Sequence, residues 1–270
     1  DFVAALGPAE RAVQLFPNET MSWQLWGQAQ EGVGQVEAAE QSLRQAVALA
    51  PHNSDANWAL ANLLLRVDKL DEALPFFRMA GQMNGSLYPP AYDVLWQVTN
   101  KQTSYLRSVA GKQYQAQMAL AQFLAEQNLF EDALQLFNEV DHQKAKQDPV
   151  SVQFINVLIQ QKQMKLAHAT WLELVGKDQL ADGEIIWNGG FETEPVRPLS
   201  QFDWILGESK YARCVIDSAH GRTGSRALKI GFLGKDTTTL ASEAFQIIVL
   251  KAGQAYRLEA FAKTTNLVTP

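Results

Sequence analysis

A single cysteine, Cys214, in 270 residues excludes an intrachain disulfide, so the fold is held by its core and not by covalent staples. No run of about 18 apolar residues occurs, which excludes a membrane-spanning helix within these residues. Bases are in the minority: 23 Lys and Arg face 29 Asp and Glu, a net charge of −6 with a pI near 5.3. A nucleic-acid or anionic-membrane surface needs a concentrated basic patch, and none stands out. Histidine is scarce, and His52, His142, His168 and His220 lack metal-ligand spacing. Gly32-Val33-Gly34 follows no strand pattern, so it makes no dinucleotide loop. Cys214 lies in an alternating apolar run with no histidine beside it, a buried thiol and not a nucleophile. No catalytic constellation survives, and the chain reads as a non-enzyme. It opens at Asp1 in apparent mid-helix, so a signal peptide or anchor would lie upstream.

What is abundant is helical periodicity. From residue 1 to about 178, apolar residues recur at i, i+3, i+4 and i+7 among Gln, Ala, Leu and Glu. Ala39 and Ala73 stand 34 residues apart, as do Ala133 and Ala167. Around them the stretch from Thr20 reads Trp23, Trp26-Gly27, Ala39, Leu43, Ala46 and Pro51. Later copies read Leu60-Ala61, Ala73, Phe77, Ala80 and then Leu120-Ala121, Ala133, Phe137. Small residues are needed where two helices approach closely, and Leu43, Phe77, Phe137 and Trp171 fill the space between hairpins. Repeats are expected at 20–53, 54–87, 114–147 and 148–178, with an irregular hairpin at 88–112 after Tyr88-Pro89-Pro90. Ala9 to Phe16 reads as the second helix of a preceding repeat. Asp71-Glu72 reads as favourable charge at a helix N-terminus.

This pattern resembles the tetratricopeptide repeat, whose period is 34 residues and whose hairpins stack because none can bury its apolar face alone. The resemblance implies an α-solenoid that holds a protein or an extended peptide in its groove. Taking Gly27, Ala61, Trp96, Ala121 and Ile155 as equivalent, the next residues are Gln28, Asn62, Gln97, Gln122 and Asn156, all carboxamides. Each both donates and accepts, which suits an extended backbone of any sequence, and the arrangement resembles the asparagine ladder of some glycosyltransferase solenoids. Trp58 and Arg66 fall towards the same groove, with Asp55 beside them. An aromatic anchor near a cation fits a peptide hot spot; the alternative is that Trp58 packs between hairpins.

From Asp182 the texture changes to short alternating runs bounded by Gly, Ser, Thr and Asp. Strands are expected at Glu184–Trp187, Arg213–Asp217, Ala227–Phe232, Phe245–Leu250 and Tyr256–Phe261, joined by turns at 220–225 and 251–254. The pieces Asn188-Gly189-Gly190-Phe191-Glu192, Gln201-Phe202-Asp203-Trp204, Gly221 to Leu228 and Gly253 to Leu258 resemble carbohydrate-binding modules of the family 4/9 type. Those are jelly rolls related to the galactose-binding fold, and a full jelly roll has about eight strands, so this one is incomplete. The resemblance implies a polysaccharide partner and a structural Ca2+ at Glu192; a solvated Glu192 is the alternative. Trp204 and Tyr211 are the residues for stacking on a sugar, with core packing the alternative for both, while Trp187 reads as core. The combination also resembles bacterial exopolysaccharide-associated envelope proteins, which implies a periplasmic or cell-envelope location. The expected architecture is an α-solenoid of about five hairpins over 1–181 and an all-β, jelly-roll or sandwich-like domain over 182–270. Two roles remain beside a scaffold: a structural accessory subunit without sugar binding, or a non-catalytic part of a larger carbohydrate-active enzyme.

Overall fold

In the computed structural model, residues 2–176, 185–234 and 243–266 are described. They divide into two units, Asp1–Gln163 and Met164–Pro270. The division falls before the helix expected to close the solenoid.

The first unit is helical. After α1 (Phe2–Leu15) come the hairpins α2 (Thr20–Gly32) with α3 (Val36–Leu49) and α4 (Ser54–Arg66) with α5 (Leu70–Met83). A short 3-10 turn at Gly85–Leu87 leads to the irregular hairpin of α6 (Tyr88–Val98) and α7 (Thr103–Ala110). Then follow α8 (Tyr114–Glu126), α9 (Phe130–Glu139), a short α10 (His142–Gln147) and α11 (Pro149–Gln160). Helix starts follow from side chains that meet orphan N–H groups: Asn53 Oδ1 accepts from Ala56 N at 2.8 Å, and Asp148 Oδ1 from Val150 N at 2.9 Å. Asp141 caps α10 in the same way, accepting from Gln143 N at 2.9 Å. That helix was not expected from the sequence.

The turn inside each regular hairpin, and the turn that follows α11, rests on one left-handed residue. Gly34, Asp68, Asn128 and Lys162 have φ of 82°, 59°, 64° and 61°, each six residues after the carboxamide of its helix. Three of the four carry a Cβ, which makes that conformation costly.

Among the first helices, α2 lies beside α4, α6 beside α8 and α8 beside α11. Between packed helices the small residues do what their size predicts. A Cβ on Gly27 would meet Leu43 Cγ at 2.7 Å, and one on Gly81 would meet the Tyr88 ring at 2.4 Å. Ala39, Ala61, Ala73, Ala121 and Ala133 are wholly buried, as are Leu43, Phe77 and Phe137. Phe137 stacks on Phe154 of α11 at 5.5 Å between ring centres. One buried polar link joins α2 to α3, between Ser42 Oγ and the Gln30 amide at 2.7 Å. Outside, the second helices are linked hairpin to hairpin. Arg44 meets Glu72 at 2.6 Å, Lys69 meets Glu40 at 2.8 Å, Arg78 Nε donates to Ser108 O at 3.1 Å, and Arg107 lies 3.7 Å from Asp132.

The second unit opens with α12 (Met164–Val175). Its Trp171 packs edge-on against Trp187 at 4.8 Å and Phe202 at 5.8 Å and donates its indole N–H to Leu199 O at 2.8 Å. Trp171 therefore serves the core of this unit. Trp187, Leu199, Phe202, Ala212 and Cys214 are buried there. Burial pushes the Cys214 thiol and the Asp203 carboxyl above their ordinary ranges and His168 below its own.

Among the described residues the strands are fewer and shorter than expected. β1 (Ile205–Leu206) pairs antiparallel with β4 (Ala244–Phe245), and β2 (Ala212–Asp217) with β3 (Ala227–Phe232). The β2–β3 ladder matches two expected strands. Ile185–Trp187 is instead part of a turn (Glu184 lies outside the described residues), because Asn188 and Phe191 take left-handed φ of 49° and 59°. The Asn188 side chain then closes the loop, with Nδ2 donating to Thr193 O at 2.7 Å and Oδ1 accepting from Thr193 N at 3.2 Å. Past Phe245 the expected strand at 245–250 does not continue, and 256–261 is irregular. Leu258 and Phe261 are 77% and 67% exposed, so the alternation there has no buried face to serve.

Candidate partner-binding surface

The five carboxamides occupy equivalent places on α2, α4, α6, α8 and α11, each directly after a buried residue. Residues at −7, −3 or −4, and +4 lie on the same helical face. On α2 that stripe is Met21, Leu25 and Gln28; on α4 it is Asp55, Ala59, Asn62 and Arg66. It runs through Asp93 and Gln97 on α6, Gln115, Ala119, Gln122 and Glu126 on α8, and Gln153, Asn156 and Gln160 on α11. None of these sixteen side chains is buried.

Three of the amides are already oriented by their own helices. Asn62 Nδ2 donates to Trp58 O at 2.8 Å, Gln97 Nε2 to Asp93 Oδ2 at 3.0 Å, and Gln122 Nε2 to Glu126 Oε1 at 3.0 Å. Each bond engages one of the two amide N–H groups, which leaves the other N–H and the carbonyl oxygen, and in the last two cases a carboxylate stands beside the amide. The sequence reading missed Asp93 and Glu126. Their i,i+4 spacing from Gln97 and Gln122 was the available signal.

Trp58 and Arg66 do not stand together as an anchor and a free cation. The Trp58 ring meets Phe77 of α5 edge-on at 5.3 Å, so it packs within its hairpin and is half-buried. Arg66 is exposed, and its guanidinium lies on Glu31 Oε1 of α2, with Nε at 2.6 Å and Nη2 at 2.5 Å.

In the second unit, Trp204 tilts against Phe191 at 4.8 Å and donates its indole N–H to Asn188 O at 3.1 Å. The sugar-stacking candidate is thus packed on the loop that carries Asn188 and Phe191. Tyr211 is half-buried, with Lys210 Nζ 4.8 Å from its ring centre. Glu192 accepts from Ser225 N at 3.1 Å, Ser225 Oγ at 3.0 Å and Arg226 N at 3.3 Å. These donors, led by the Ser225 and Arg226 amides, hold its carboxyl below the usual range. Among the described residues no three His, Cys, Asp or Glu side chains converge as metal ligands.

Residues 32–85 and 104–149 match tetratricopeptide-repeat families. Solved structures with similar folds include YrrB, described as a TPR protein with an unusual peptide-binding site, at 15% identity and a TM-score of 0.33. The likeness covers 62% of this chain and 90% of that one. MamA is 18% identical over 52% of this chain and 86% of its own, with a TM-score of 0.34. PilF of Pseudomonas aeruginosa is 14% identical over 62% and 77%, with a TM-score of 0.30. No curated protein matches the chain.

Proposed function

We propose that this chain, whose first unit carries tetratricopeptide repeats, is a non-catalytic scaffold that holds an extended segment of another protein along the amide stripe. The observation that carries the reading is the recurrence of a carboxamide at one equivalent place on five successive first helices, none of them buried. An extended peptide presents a carbonyl and an N–H at every residue, and a row of amides meets both without reading side chains. The test starts from the strongest binder on an array of random dodecapeptides, measured by calorimetry against the full chain. A single neutral hydrogen bond contributes about 0.5–1.5 kcal/mol, or roughly 2- to 12-fold in affinity. Asn62→Ala with Gln97→Ala should therefore weaken binding at least about fivefold with unchanged circular dichroism. Unchanged affinity would sink the reading.

For the second unit we favour a structural role without sugar binding. That reading is supported by Trp204, whose ring rests on Phe191 and whose N–H is engaged by Asn188 O. Affinity electrophoresis of the full chain through a panel of polysaccharides tests it, and retention by any of them overturns it.

A further inference from the structure

The charge of this protein is unevenly placed. The first unit carries 17 Asp and Glu against 11 Lys and Arg, which is the whole net charge of −6; the second carries 12 of each. On the amide stripe the imbalance is sharper. Asp55 on α4, Asp93 on α6 and Glu126 on α8 all lie on it and are exposed. The base on the stripe, Arg66, is neutralised by Glu31. Gln97 and Gln122 each donate one N–H to the carboxylate of their own helix and keep a carbonyl oxygen and a second N–H. The first helices α4, α6 and α8 therefore each carry an exposed carboxylate on this face, with α6 and α8 packed side by side. Positive charge is the match for an occupant that lies along them. At the α2 end the stripe changes to Met21 and Leu25, 55% and 48% exposed, where an apolar side chain is the better match.

We infer that the occupant of this stripe is an extended, Lys- or Arg-bearing peptide segment, with cationic side chains over α4, α6 and α8 and an apolar residue over α2. The inference rests on the groove reading proposed above and adds the chemistry of the partner. Packed helices stand about 8–10 Å apart and an extended chain advances about 3.3 Å per residue, so cations about three residues apart match the step between the packed helices α6 and α8. Charge complementarity of this kind chooses between partners and raises the association rate more than it adds raw affinity.

The test uses three peptides of about twelve residues that differ only at every third position, which is Lys, Gln or Glu, each with a Leu at one end. Affinities are measured by fluorescence anisotropy against the full chain at two salt concentrations. The Lys peptide should bind about tenfold tighter than the Gln peptide and the Glu peptide weakest, with the difference shrinking in high salt. The variant Asp55→Asn with Asp93→Asn and Glu126→Gln should bring the Lys peptide down to the level of the Gln peptide. A matched variant at exposed acids of second helices, Glu37→Gln with Asp71→Asn and Glu131→Gln, should leave the ranking intact. Circular dichroism confirms that both fold. If the Lys and Gln peptides bind equally and Asn62→Ala with Gln97→Ala weakens both, the charge inference falls and the groove reading stands. If the two charge variants weaken the Lys peptide equally, only net charge is at work and the inference is overturned. If no peptide binds, both readings fall.

Discussion

Replacing Gly27 with alanine sets two effects of known size against each other. The glycine lies inside α2, where a change to alanine normally stabilises a helix by roughly 0.5–1 kcal/mol through backbone entropy. At this place, however, the new Cβ would stand 2.7 Å from Leu43 Cγ, 3.0 Å from Leu43 Cδ2 and 3.1 Å from Ala39 O. Leu43 and Ala39 are wholly buried, so neither can step aside without moving α3. Overpacking of this kind costs about 1–3 kcal/mol. The net expectation is a destabilisation of about 1 kcal/mol. Gly7, inside α1, is the control: nothing lies within 4 Å of a Cβ built there. Gly7→Ala receives the propensity gain alone and should raise helix stability. Urea melts followed by circular dichroism, with hydrogen exchange for α1, measure both. A double variant sharpens the result. Leu43→Ala alone should cost about 2–5 kcal/mol, but together with Gly27→Ala it should cost less than the sum, because the added methyl enters the space that leucine leaves. If Gly27→Ala melts at or above the wild type, or if the two changes add, close packing is not why the position is small.

Three further outcomes follow from the two units. Lys162→Gly should stabilise the first unit by about 0.5–1 kcal/mol, since a φ of 61° strains a side chain that glycine lacks; a lower melting temperature would show that the lysine side chain contributes elsewhere. Trp171→Phe keeps most of the apolar ring but leaves the buried Leu199 carbonyl without its 2.8 Å donor. It should cost about 1–3 kcal/mol, read as a lower melting point and altered tryptophan fluorescence. Glu192 has a folded pKa below its unfolded value, so its contribution is present above the usual glutamate range, near 4.3, and lost as pH falls through the folded value. Glu192→Gln should therefore flatten the acid limb of stability, and added Ca2+ should leave the melting temperature unchanged because both carboxylate oxygens already hold N–H or O–H donors.

How far the sequence could be read depended on whether a signal was local. Hairpin close approach forces small residues at regular spacing, and Gly27, Ala61 and Ala121 announced the solenoid because nothing larger fits beside Leu43 and its counterparts. Gly34, Asp68 and Asn128 are residue types that tolerate the left-handed conformation and so carried a turn signal, whereas Lys162 carried none. In the second unit, alternation was a poor guide. Arg213–Asp217 and Ala227–Phe232 alternate and pair, whereas Tyr256–Phe261 alternates just as well without a ladder. Strand pairing is a property of two segments, and a one-segment pattern cannot supply the partner. Trp171 illustrates the same limit: its place in the repeat suggested a plug between hairpins, while Trp187 and Phe202, contributed by later chain, gave it another core. On the stripe the five amides were legible from spacing, and i,i+4 spacing pointed to Asp93 and Glu126 as partners of Gln97 and Gln122, but that the bonds form needed coordinates.

The contacts between second helices also bear on how the array yields. Links run without a break from α3 through α5 and α7 to α9 and form a spine held largely by exposed charge. On the first-helix side Arg66 to Glu31 ties α2 to α4, but α6 and α8 are joined by a buried, uncharged bond, with the Tyr92 hydroxyl donating to Ala116 O at 2.9 Å and Phe123 against Tyr92 and Trp96. The two kinds of link answer differently to salt. Exposed ion pairs fade in high salt, so raising ionic strength should soften the spine and make hairpins melt more independently of their neighbours.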